Sequence, residues 1–139
     1  QEVLIQCDDN EDSLKEKIVH SMACDSAREL GHNCISAGAH SFIGYKEKFH
    51  LVHLNKTSET EQANDHIAKF FIEPAYEAMV ALIEGKTAKE AYARSQEMYC
   101  ENLRYLITST NSQYNTIIAS RLFHNLTHQV CLGDGNAKF

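Results

Sequence analysis

The sequence predicts an α/β fold: a mostly parallel sheet flanked by helices, with a long helical segment before the last strand. Two observations carry this. The stretch Lys17-Ile18-Val19-His20-Ser21-Met22-Ala23 is apolar on both alternating faces, as a strand buried inside a parallel sheet is. The order of segments is strand, strand, helix, strand, several helices, strand, and such alternation argues for α/β. The right-handed crossover rule then carries the helix after Ala23 across one face, and returns the chain to a parallel strand at Phe42.

The elements follow in order. Glu2-Val3-Leu4-Ile5-Gln6 reads as a first short strand, and the polar, acidic stretch from Cys7 to Glu16 as a loop. After the strand at 17–23, Asp25 and Ser26 are positioned to cap a helix from about Ala27. Its inward positions are Ala27, Leu30, Cys34 and Ile35, and Gly38 is its stop. Ser41 to Tyr45 is the next strand. Phe49 to Leu54, with two histidines, reads as a short strand or a loop. Ser58-Glu59-Thr60-Glu61 fits a capping box. It opens an apolar stripe through Ile67, Phe70, Phe71, Ala75, Ala78, Met79 and Leu82. Pro74 inside that stripe predicts a kink or a new start. Thr87-Ala88-Lys89-Glu90 is a second capping box, for a helix reaching about Ile107. Thr108 to Ser112 predicts a break, and a last helix covers about Gln113 to Leu126. Gln129 to Leu132 is the final strand, closed by the turn residues Gly133 to Asn136.

Composition narrows the function. The 139 residues suit a single domain, 1–139, with 6 Gly and 1 Pro speaking against disorder. A net charge of -6 makes nucleic acid and anionic membrane poor partners, and no apolar run approaches the length of a membrane span. Five cysteines, an odd number without a C-x-x-C pair, fit free thiols in a reducing compartment, so a cytoplasmic location is expected. No glycine-rich phosphate cradle is present. The acidic run Asp8, Asp9, Glu11 and Asp12 lacks the spacing and glycine of a calcium loop.

The sharpest local feature is Val19 to Ala27. It places Cys24 at the carboxyl end of a buried strand and the amino end of a helix, the edge at which open α/β sheets hold their ligands. A helix amino terminus favours the thiolate, which is the nucleophile. The alternative is a buried, inert cysteine.

The stretch from Lys17 to Tyr45 resembles the nucleophile region of caspase-like cysteine peptidases, the group that includes caspases, gingipains and CHAT-type peptidases. The matching features are a hydrophobic strand running into Ala23-Cys24, then Ser26-Ala27, Leu30-Gly31, Gly38-Ala39 and the strand Phe42-Ile43-Gly44-Tyr45. The tail Val130-Cys131-Leu132-Gly133-Asp134 is similar to the closing strand of gingipain-like and CHAT-like domains. Caspases proper place Gln before Ala-Cys and Gly two residues after the Cys, where this chain has Met22 and Ser26. The resemblance implies a caspase-like fold, with 1–139 expected to be the carboxyl-terminal portion of the peptidase domain, and a cysteine endopeptidase acting on protein or peptide, with Cys24 as nucleophile through a thioester. Its backbone N–H and the helix amino terminus would hold the oxyanion.

In the group the resemblance points to, the catalytic His lies upstream of the Cys, at the end of the preceding strand. The one His before Cys24 is His20. Four strand residues separate the two, about 13 Å at roughly 3.3 Å each, so His20 does not reach the thiol along a straight strand. His40 falls at the opposite edge of a parallel sheet. His50 and His53 return to the correct edge and are the candidate bases within the chain. The catalytic His is otherwise expected outside this chain, on an upstream segment or a second chain, and the 139 residues alone are then expected to show little or no peptidase activity.

Two other readings compete: a non-catalytic scaffold or regulatory domain of the same fold, and a helical metal-binding domain using His124, His128 and Cys131. His124 and His128 share one helix face, but a fourth ligand is missing and Cys131 sits in an apolar strand. No metal and no cofactor are therefore expected.

Overall fold

In the computed structural model, residues 10–54, 61–109 and 113–139 are described. The expected strand at 2–6, most of the first capping box (Ser58 to Thr60), residues 110–112 of the expected break, and Asp8 and Asp9 lie outside them. Strand β1 is Ile18–His20, helix α1 Leu30–Ser36, strand β2 Ser41–Tyr45, helix α2 Glu61–Ile83, helix α3 Ala88–Thr108, helix α4 Asn115–His128 and strand β3 Gln129–Gly133. A single 3-10 turn at Glu11–Leu14 precedes β1.

The sheet is small and mixed, in the order β1-β2-β3. β1 lies parallel to β2, with Val19 opposite Phe42, and β3 lies antiparallel, with Leu132 opposite Phe42 and Gln129 opposite Tyr45. The expected mostly parallel sheet is thus corrected, among the described residues, to one parallel and one antiparallel pair. The cause is the path of the helices. α4 ends where β2 ends, with His128 O accepting the Lys46 N–H at 3.0 Å. β3 starts at the next residue, so it enters the sheet at the edge β2 has just left and must run backwards along it.

The pleat sends alternate residues to two cores. Phe42 packs with Ala27, Cys34 and Ala39, backed by Val19, Leu30, Ile35, Val130 and Leu132, under α1. Ile43 packs with Ala81, Leu82 and Ala91, joined by Ile18, Tyr92 and Cys131, under α2 and α3. Tyr45 leads into a third cluster inside the helices, with Ile67, Phe71, Tyr99, Leu106, Ile118 and Leu122. All five residues of β2 are buried.

Three local expectations are corrected. β1 is three residues rather than seven, because the chain turns away after Ser21. α1 starts at Leu30 rather than near Ala27, and residues 24–29 form successive turns; Ser26 uses its hydroxyl elsewhere, as described below. Of the two outcomes expected at Pro74, the new start does not occur, because α2 runs unbroken through it. A proline leaves the carbonyl four residues earlier without its helical donor. Here that carbonyl belongs to Phe70, and the Asn102 side chain on α3 donates to it at 3.0 Å. The second capping box forms as expected: Thr87 Oγ1 accepts from the Glu90 N–H at 3.1 Å, and Glu90 Oε2 from the Thr87 N–H at 2.7 Å. α4 is shifted two residues towards the carboxyl terminus relative to its expected start and end.

Asn102→Leu should therefore cost about 1–3 kcal/mol, the effect of leaving a buried carbonyl without a donor. A urea unfolding midpoint equal to wild type would show that Phe70 is satisfied in another way.

Candidate functional site

Cys24 sits beyond the carboxyl ends of the two parallel strands, exposed to solvent. Its position follows from how the chain leaves β1. The Ser21 N–H continues the ladder to Ile43 O at 2.9 Å, and Ser21 Oγ accepts the Ala23 N–H at 3.1 Å. Asp25 takes a left-handed backbone conformation (φ 55°), which reverses the chain. The segment then returns to β2: Ala27 N–H donates to Tyr45 O at 3.0 Å and Asp25 N–H to Glu47 O at 3.4 Å. Ser26 is buried, and its Oγ accepts the Tyr45 N–H at 3.4 Å. Cys24 is thereby mounted on a tight loop stitched to the central strand on both sides.

That stitching has a steric condition. A Cβ on Gly44 would lie 2.6 Å from the Phe42 ring and 2.7 Å from Ser26 Oγ, so only glycine lets Ser26 reach the strand. Gly31 makes similar room for α1, since a Cβ there would lie 3.0 Å from both Phe42 and Leu132. Gly133, at φ 81°, lets the His40 carbonyl approach, and the Asp134 N–H donates to that carbonyl at 2.7 Å. Gly31, Gly44 and Gly133 thus let the loop and α1 dock on the sheet.

The thiol itself lies 3.9 Å from Phe49 O. The expectation that Cys24 opens a helix is corrected, since α1 begins six residues later and its dipole does not reach the sulfur. The three backbone N–H groups after Cys24 are also committed, to Glu47 O, Ala23 O and Tyr45 O.

The histidines separate as topology requires. His40 lies at the opposite edge, its N–H on Lys17 O at 2.8 Å. His20 lies on β1, and its Nε2 is buried with no partner among the described residues; burial pushes its imidazole below the ordinary range. His50 and His53 follow β2 to the edge that carries Cys24. His53 is exposed. The segment containing them pairs with no strand. Two asparagines replace a strand partner. Asn125 holds His50 by both N–H and C=O at 2.8 Å each, and Asn64 holds Leu54 likewise at 2.7 and 3.1 Å.

The His50 ring is engaged with α4, stacked on His124 with centroids 3.7 Å apart, and His124 lies 4.2 Å from His128. Cys131 points away from this column, into the core under α2 and α3, where burial raises its thiol. The set His124, His128 and Cys131 is therefore not assembled, and the described residues hold no group of three or more His, Cys, Asp or Glu arranged to bind a metal.

Beneath this edge lies a buried polar network that periodicity gives no sign of. Tyr45 and Tyr99 hydroxyls are 2.7 Å apart, and Gln129 Nε2 reaches Ser95 Oγ at 2.9 Å and Tyr45 at 3.4 Å. Burial pushes the Tyr45 phenol up to about 12 and raises Tyr99 further. Both stay protonated at neutral pH and act as fixed hydrogen-bonding groups.

Comparisons with protein-family models, curated proteins and solved structures match nothing to this chain. No helix among the described residues is long and apolar enough to cross a membrane.

Gly44→Ala should lower stability by about 1–3 kcal/mol, the usual cost of overpacking, read as a shift in the urea midpoint. Wild-type stability would show that Ser26 does not need the space.

Proposed function

We propose that the chain carries the nucleophile region of a caspase-like cysteine endopeptidase, with Cys24 as the attacking thiol. The carrying observation is the mount: an exposed cysteine at the carboxyl edge of parallel strands, on a loop fixed by Ala27 to Tyr45 O and by Ser26 to the Tyr45 N–H. Such rigidity keeps a reacting atom in place. The resemblance in Lys17 to Tyr45 supports the same reading.

The chemistry needs a base. Cys24 Sγ loses its proton to it and attacks the peptide carbonyl carbon. The C–N bond breaks as the base returns the proton to the leaving amine, and water then hydrolyses the thioester. His50 Nδ1 is occupied by Arg121 Nη1 at 3.3 Å, and its ring lies in the imidazole column. The proposal therefore gives the base to a histidine outside this chain, on an upstream segment or a second chain, in contact with the Cys24 edge, with the exposed His53 as the alternative within the chain. The Cys24 N–H remains the proposed oxyanion donor, without help from α1.

A peptidyl electrophile tests the assignment, because Cys100 is also exposed and serves as an internal reference. Cys24 should be labelled at least about tenfold faster than Cys100, since a peptide-binding nucleophile gains from positioning that a merely accessible thiol lacks. Equal labelling of the two would contradict the peptidase reading and favour a non-catalytic scaffold.

A further inference from the structure

The three imidazoles beside the Cys24 edge form one column. His50 and His124 are stacked with planes 8° apart, and His128 continues the column beyond His124. One hydrogen bond defines the charge state of His50. Arg121 Nη1 lies 3.3 Å from His50 Nδ1. A guanidinium can only donate, so His50 Nδ1 accepts and the ring is neutral. His124 Nε2 donates to Lys48 O at 3.0 Å, and His128 Nδ1 to His124 O at 2.7 Å. One proton per ring satisfies all three bonds.

Among the described residues, no acidic group is paired with the column. Burial first, and then His124, Arg121, Lys48 and His128, hold the His50 imidazole below the ordinary range. The ion pairs among the described residues are those of Arg94 with Glu77 and Glu84, and none involves the column. Protonation of His50 would remove the acceptor for Arg121 and set a positive ring against its guanidinium.

The column is joined to the thiol through the backbone. His50 is tied to α4 by Asn125, and its neighbour Phe49 places its carbonyl 3.9 Å from Cys24 Sγ. The Phe49 ring packs edge-on against Tyr45 at 4.9 Å.

We propose that His50, stacked on His124 and accepting from Arg121, is a proton-operated latch: neutral, it clamps segment 46–50 to α4, and protonated, it releases that segment and draws the Phe49 carbonyl away from Cys24. The consequence for catalysis rests on the peptidase reading, whereas the latch itself does not. The direction follows from linkage. The released segment takes up protons first, near the ordinary histidine value of about 6.5. Closure is therefore complete above that pH and is lost as pH falls through and below it.

Amide hydrogen exchange on the intact chain at pH 7.5 and 5.5 tests this. Protection of the His50 amide should fall about tenfold at the lower pH, as uptake of one proton on opening requires, while α3 amides keep theirs. His50→Phe keeps a flat ring that takes no proton, and it should reduce the difference between the two pH values. Equal protection at both pH values in wild type, or an undiminished fall in this variant, would overturn the latch. Iodoacetamide labelling supplies the second readout. The ratio of Cys24 to Cys100 labelling should rise at pH 5.5, and a constant ratio alongside falling protection would overturn the link to Cys24. Failure of Cys24 to prefer the peptidyl electrophile would remove the peptidase reading and leave the latch standing.

Discussion

The approach of Ser26 to strand β2 over Gly44 is the contact on which the rest of the Cys24 edge depends. Ser26 Oγ takes the Tyr45 N–H, Ala27 N–H reaches Tyr45 O, and Gly44 leaves the room for both. The same contact withholds Ser26 from capping α1, so the helix starts late and the thiol lies outside its dipole. One short segment thus fixes where Cys24 stands and removes one means of activating it. For the proposed peptidase, a partner imidazole becomes correspondingly more important.

β2 links this edge to the interior. Phe42 faces α1, Ile43 faces α2 and α3, and Tyr45 enters the helical core beside Tyr99. Asn125 ties that core to the segment after β2, holding the His50 backbone from α4. Cys24, the imidazole column and the tyrosine pair therefore occupy one end of the sheet, connected through side chains on β2 and α4. The helices are held with similar economy: Pro74 removes a donor from α2, and Asn102 on α3 supplies the replacement.

Much of the fold is legible in the sequence because it rests on local pattern. β2 and β3 stand out as apolar runs beside turn glycines, and Thr87 to Glu90 announces α3 through hydrogen bonds within four residues. The direction of β3 is not legible. It depends on where α4 ends, which three long helices decide together. Nor is the persistence of α2 through Pro74, since Asn102 lies 28 residues away in the chain. At the site, Cys24 is legible from its place after an apolar strand, and His50 from topology. The late start of α1 is not, because Ser26 looks like a helix cap until Tyr45 is seen to need its oxygen. The column is half legible: His124 and His128 share a helix face by spacing, but their neighbour is His50 rather than Cys131.

The central claim is that the loop bearing Cys24 is an integral part of the sheet rather than a free turn. Hydrogen exchange at the Ala27 amide tests this most directly, because its bond to Tyr45 O closes the loop. The account predicts that this amide is protected within about tenfold of the Ile43 amide inside β2, opening only with the strand itself. Exchange of Ala27 near the rate of an unstructured chain, while Ile43 stays protected, would contradict it.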